Sequence, residues 1–116
     1  MHGSLKELEF SRKVIEIYSN ALLNTNLLPG RPDIYLPTEK VAIFFDGCYW
    51  HNHTCRSGET VKYSLTARDV EVRNRIRALG VHVIQVWECE WDSDAEGTIS
   101  SLQTQLNLIR AGLQDC

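Results

Sequence analysis

Apolar and polar positions alternate with two different periods along this chain, and the changes of period mark its elements. Over residues 5–23, Leu8, Ile15, Tyr18 and Leu22 fall on one helical face behind Ser4 as an N-cap, which predicts an amphipathic helix. The stretch LPGRP (28–32) ends that pattern. Next come DIYL (33–36), the turn PTEK (37–40) and VAIFF (41–45), a predicted hairpin whose second strand is apolar on both faces and therefore central. Residues 46–65 show no period and predict a long loop. Thr66 is placed to cap a helix running to Leu79, Gly80 supplies a left-handed stop, and VHVIQVW (81–87) predicts another buried strand. Thr98 opens a last helix with Leu102, Leu106, Ile109 and Leu113 in one stripe. The order α-β-β-α-β-α implies an α/β fold with a mixed central sheet flanked by helices.

Size and composition narrow this picture. At 116 residues, 43% hydrophobic and 23% charged, the chain is expected to form a single domain over 1–116. Its first twenty residues carry Lys6, Glu7, Glu9, Arg12, Lys13 and Glu16 with no long apolar run, so neither a secretory signal nor a membrane span is expected, and the protein is read as cytoplasmic. A net charge of -3 excludes a polycation. Nucleic-acid contact would have to be local, and the basic cluster Lys62, Arg68, Arg73, Arg75 and Arg77 is the candidate, with ECEWDSDAE (88–96) as its acidic counterweight.

The chemistry is concentrated in DGCYWHNHTC (46–55). In a reducing compartment its cysteines suit metal binding or inert burial better than disulfides. Cys48, His53 and Cys55 are near enough in sequence to meet at one point, and Cys89 is the natural fourth ligand if strand 81–87 lies parallel to 41–45, because both chains then leave the sheet at one edge. Four protein ligands close a tetrahedral zinc site, which makes it structural and disfavours a zinc hydrolase. The bland alternative is a set of buried thiols with an accidental spacing. Cys116 is a bystander.

Asp33, Asp46, His51 and Asp69 remain. Carboxylates on adjacent strands suit Mg²⁺, which prefers hard oxygen ligands, and His51 could exchange protons near neutral pH. Singly, each has a plain explanation: turn formers for Asp33 and Asp46, packing for His51, helix capping for Asp69. Together they trace the outline of a PD-(D/E)xK nuclease core, except that Asp46 is followed by Gly47 and Cys48 where that pattern needs its lysine.

PGRPDIYL, VAIFFDGCYWHNHTC, the RD pair at 68–69 and LGVHVIQVWEC together resemble the very-short-patch repair (Vsr-type) endonucleases over roughly residues 29–89, and more loosely over the first helix. The resemblance implies a restriction-endonuclease-like PD-(D/E)xK variant in which histidine replaces the missing lysine, acting as a Mg²⁺-dependent DNA endonuclease that nicks one strand, with T·G mismatch repair as the family's role. It implies Asp33 and the backbone carbonyl of Phe45 as Mg²⁺ ligands, His51 as acid/base, Asp69 and Asp46 on metal-associated waters, and Glu7, with Glu9 as the other candidate, contributing from the first helix. It also implies structural Zn²⁺ on Cys48, His53, Cys55 and Cys89. On DNA it implies Tyr49 and Trp50 as an aromatic wedge, and Lys62, Arg68 and Arg73 on flanking phosphates.

The match has departures. Phe45 and Asp46 stand where enterobacterial members carry threonine and histidine. Only twelve residues separate Cys55 from Arg68, so the aromatic, lysine-rich insertion of the repair enzymes is missing. Compact phage or homing-type nucleases with the same acidic and histidine set are thus an alternative, as is a non-catalytic zinc module that binds DNA or protein. Cutting both strands would need a second copy or an accessory protein.

Overall fold

The computed structural model describes residues 5–46 and 67–112. The chain runs α1 (Leu5–Ile17), β1 (Leu22–Leu23), β2 (Ile34–Leu36), β3 (Val41–Asp46), α2 (Ala67–Ala78), β4 (His82–Trp87), α3 (Glu88–Ser93) and α4 (Ala95–Arg110). The strands form one mixed sheet in the order β1-β2-β3-β4. β2 and β3 form the expected antiparallel hairpin, while β4 lies parallel to β3 with Asp46 opposite Trp87. Every residue of β3 is buried, as a strand with neighbours on both edges and helices on both faces must be.

Alternation along β3 builds two cores. Val41, Ile43 and Phe45 point to the side covered by Phe10 and Val14 of α1 and by Ile99, Leu102 and Leu106 of α4. Ala42 and Phe44 point to the other side, where Ile76 of α2, Leu28 and Val81 complete the layer. Asp46 continues that second face. Among the described residues no helix is long and apolar enough to cross a membrane.

Three expectations are corrected. The first helix stops at Ile17 instead of 23, because Leu22 and Leu23 pair with Tyr35 and Ile34 as an extra edge strand. Its buried row is Phe10, Ser11 and Val14, with Tyr18 packed beside it, whereas Leu8 and Leu22 are exposed. The last helix begins at Ala95 rather than Thr98: the Asp94 carboxylate accepts the Gly97 N–H at 2.9 Å and caps it, and Thr98 turns its hydroxyl back onto the Asp94 carbonyl at 2.8 Å. A further short helix, α3, precedes it. The expected caps Ser4 and Thr66 lie outside the described residues.

The segment from Leu28 to Asp33 is held tightly. Gly30 has φ +74°, and a Cβ there would overlap the Cγ1 methyl of Val72 on α2. Gly30→Ala is therefore expected to destabilise the fold by about 2–4 kcal/mol, combining left-handed strain with overpacking. Urea denaturation of the variant beside wild type measures it, and an unchanged midpoint would contradict this packing.

Candidate active site

The carboxyl ends of β3 and β4 and the start of β2 meet at one edge of the sheet, and the acidic residues gather there. Asp33 precedes the first residue of β2, behind a fully buried Pro32. Its carbonyl accepts the Asn24 N–H at 3.1 Å and its carboxylate Oδ2 accepts the Phe45 N–H at 2.7 Å. The carboxylate thus takes over where the β2–β3 ladder stops, satisfying a strand N–H that would otherwise lack an acceptor. In an extended strand the N–H and C=O of one residue face the same neighbour, so the Phe45 carbonyl is turned to the Asp33 side as well.

Glu7 arrives from the opposite direction. It lies one turn before Phe10, whose ring is fully buried, stacks on Phe45 with centroids 5.0 Å apart and meets Trp91 edge-on at 5.4 Å. Lys6 pairs with Asp92 of α3 at 2.5 Å, so α1 is fastened on both sides of Glu7. The result is a hydrogen bond between the Glu7 and Asp33 carboxyl groups. Such a bond needs one shared proton. Burial first, then the nearby charges of Glu7 and Asp46, push Asp33 up to about 7, against the opposing pull of the Phe45 N–H. Glu9, the other first-helix glutamate, is exposed.

Asp46 occupies a different environment from the one expected. Its Oδ1 accepts Arg73 Nη2 at 3.0 Å and its Oδ2 accepts Gln85 Nε2 at 2.8 Å. Asp46 and Arg73 are both only 4% exposed, and the guanidinium carbon lies 4.2 Å from the centre of the Phe44 ring. Arg73 therefore faces the sheet, where its guanidinium is engaged by Asp46 and Phe44. Gln85 was not anticipated at all. Its signal was a polar residue at the third place of the otherwise apolar alternation Val81, Val83, Gln85, Trp87.

Arg68 is exposed at the start of α2, and Asp69, half-buried, sits in the same first turn. Cys89 is half-buried in α3, two residues past Trp87, on the edge where β3 also ends. His51, Cys48, His53, Cys55, Tyr49, Trp50 and Lys62 lie outside the described residues. Among the described residues no group of three or more His, Cys, Asp or Glu side chains converges as a metal site; what converges is the Asp33–Glu7 pair.

A mixed four-stranded sheet between helices, with carboxylates collected where the strands end, is an α/β architecture that fits a Vsr-type nuclease fold. Comparison with known proteins agrees. Residues 19–57 match the family model "DNA mismatch endonuclease Vsr". The chain is 38% identical over 73 residues to the Type II nicking enzyme V.XorIIP of Xanthomonas oryzae pv. oryzae, covering 54% of each protein. It is 33% identical over 76 residues to the Type II nicking enzyme V.NmeAIP of Neisseria meningitidis, covering 57% of this chain and 54% of that one. It is 34% identical over 77 residues to the DNA mismatch endonuclease Vsr of Escherichia coli K12, covering 53% and 46%. The chain is thus similar to Vsr-type endonucleases over its middle part. The matched segments span about half the length of these relatives.

Proposed function

We propose that the protein is a metal-dependent DNA endonuclease that nicks one strand, using Asp33 and Glu7 as its acidic centre. The observation that carries this reading is the half-buried pair of Asp33 and Glu7 carboxyl groups at the sheet edge, close enough to hydrogen-bond and to raise the Asp33 pKa. Two carboxyls so placed, beside a strand carbonyl, present hard oxygen donors and excess negative potential, which fit Mg²⁺. Asp33, Glu7 and the Phe45 carbonyl would hold it; the ion, when bound, neutralises charge developing on the phosphate and on the departing 3′ oxygen.

The chain's own residues do the rest. The Phe45 N–H keeps the Asp33 carboxylate turned to the open edge, and α1 brings Glu7 to it. His51 exchanges the proton with the reacting oxygens, and Asp69, one turn before Arg73, orients the attacking water or the imidazole. Asp46 lends negative potential to the edge while its oxygens are held by Arg73 and Gln85. Arg68 and Lys62 hold flanking phosphates, so binding weakens with salt. Tyr49 and Trp50 enter the base stack, and Cys48, His53, Cys55 and Cys89 would hold a structural Zn²⁺, which when bound would cross-link the segment before Arg68 to α3. The fold is then a PD-(D/E)xK variant with histidine in the lysine's role. DNA is the partner, as a T·G mismatch or as a matched site, and a second copy or accessory protein enters only if both strands are cut.

The test is nicking of supercoiled plasmid and of T·G and matched duplexes by purified protein, with Mg²⁺ or with EDTA, after zinc content has been measured. Mg²⁺-dependent nicking supports the reading, and the duplex arms assign mismatch specificity. A folded, zinc-loaded protein that nicks none of these substrates would refute it and favour a non-catalytic zinc module.

A further inference from the structure

The Asp46–Arg73 pair lies at the sheet edge yet is closed off from solvent, with each side chain 5% exposed. A buried ion pair is a poor stabiliser, since apolar residues of similar volume usually serve as well, so its contribution here is direction. Arg73 is fixed along three lines: its guanidinium donates to Asp46 at the end of β3, lies over Phe44 one layer deeper, and shares the Asp46 carboxylate with Gln85 of β4. A rigid planar fork held this way defines where its helix stands, as a flexible ammonium would not.

α2 is caught again at the preceding residue. Val72 packs against Gly30, in the segment that leads into Asp33, so closely that no side chain fits between them. Positions 72 and 73 thus tie one turn of α2 to two segments that border the acidic centre: the approach to Asp33 and the end of β3. Asp69 precedes Arg73 by four residues, which places it on the same helical face one turn nearer the helix start. Arg73 is beside the last residue of β3, so that extra turn carries Asp69 toward the carboxyl edge.

We propose that Arg73 is the positioning residue of this site, clamped by Asp46, Gln85 and Phe44 so that α2, and with it Asp69 in its first turn, is held at a fixed place at the carboxyl end of β3. Asp46 then serves as anchor instead of contacting the reacting atoms. The kinetic part of this inference rests on the nuclease reading; the structural part does not.

The experiment is a double-mutant cycle in the full chain. The variant Asp46→Asn/Arg73→Met removes both charges together, so no unpaired charge is buried and the fold is retained. Its kcat for nicking is expected to fall by about 10–100-fold with KM within about threefold, the pattern of a misplaced but present catalytic group. Asp69→Asn should cost on the order of 100-fold in the wild type but less than about threefold in this background, because positioning and positioned residues are coupled. Arg73→Lys, which keeps the charge and one donor, should restore part of kcat. Hydrogen exchange supplies a readout free of catalysis: the amides of Glu71, Val72 and Arg73 should lose about tenfold protection in the double variant while β3 keeps its own. Nicking at the wild-type rate in the double variant, an equal Asp69→Asn cost in both backgrounds, or unchanged α2 exchange would each overturn the proposal. A wild type that does not nick would sink the nuclease reading alone, and the exchange measurement would still decide whether Arg73 fixes α2.

Discussion

Asp33→Asn is expected to cut nicking about a thousandfold and, in EDTA above pH 7, to make the fold more stable than the wild type. Both effects come from one cause: desolvation and the neighbouring charges of Glu7 and Asp46 push the half-buried Asp33 carboxyl up to about 7 from the ordinary 3.8. A folded-state value above the unfolded one means that the native protein holds this proton more tightly than the unfolded chain does. The stabilising contribution is complete below about pH 4 and is lost as pH rises through about 7, leaving ionised carboxyls crowded together. Wild type should therefore lose on the order of 2–4 kcal/mol between pH 4.5 and pH 8.5 from this group. Asparagine keeps an oxygen for the Phe45 N–H but carries no charge, so its stability should be nearly level over the same range. Activity should fall by about a thousandfold, the scale of losing a preorganised charge at a reacting phosphate. Urea titrations at the two pH values, with nicking measured alongside, test the pair of effects. An asparagine variant that is less stable than wild type at pH 8.5 would show that Asp33 is not held under this electrostatic tension, and one that nicks at close to the wild-type rate would remove it from the active site.

The same tension explains which features were legible in the sequence. Period and composition identify an apolar strand at 41–45, a hairpin before it and a strand at 81–87, because local patterning and burial agree there; the parallel pairing of β3 with β4 then puts Asp46 and Cys89 at one edge. Asp33 alone reads equally well as a turn former, and it stands out only in conjunction with Asp46 on the neighbouring strand. Glu7 is harder. Helical periodicity offers Glu7 and Glu9 equally, and only the packing of Phe10, buried against Phe45, decides which glutamate reaches Asp33. Arg73 reads as one member of a basic cluster because sequence carries its charge and not its direction; a buried Asp46 with which to pair exists only once α2 lies on the sheet. The end of α1 at Ile17 was likewise hidden, since Leu22 fits a helical stripe as well as it fits the edge strand it joins.

Phe10→Ala is expected to be the most destabilising single change in α1, and its consequences should reach the site. The ring is inaccessible to solvent and forms the middle of a column, stacked on Phe45 of β3 and edge-on to Trp91 of α3. Truncation removes that area from the larger of the two cores and leaves a cavity between three elements that cannot easily collapse, at a cost of about 3–5 kcal/mol. For a chain of 116 residues this should lower the melting temperature by more than about 10 °C. Phe10→Leu, which refills most of the volume, should recover more than half of the loss. Because the column seats the turn of α1 that bears Glu7, the leucine variant should also loosen the Glu7–Asp33 contact: its Asp33 should titrate closer to the ordinary carboxylate range, detectable by NMR of the side-chain carboxyl carbon. Folding that tolerates alanine with little change in melting temperature would mean that α1 is held chiefly by Lys6 and Asp92. A leucine variant with an unaltered Asp33 titration would show instead that Glu7 keeps its place without the aromatic column beneath it.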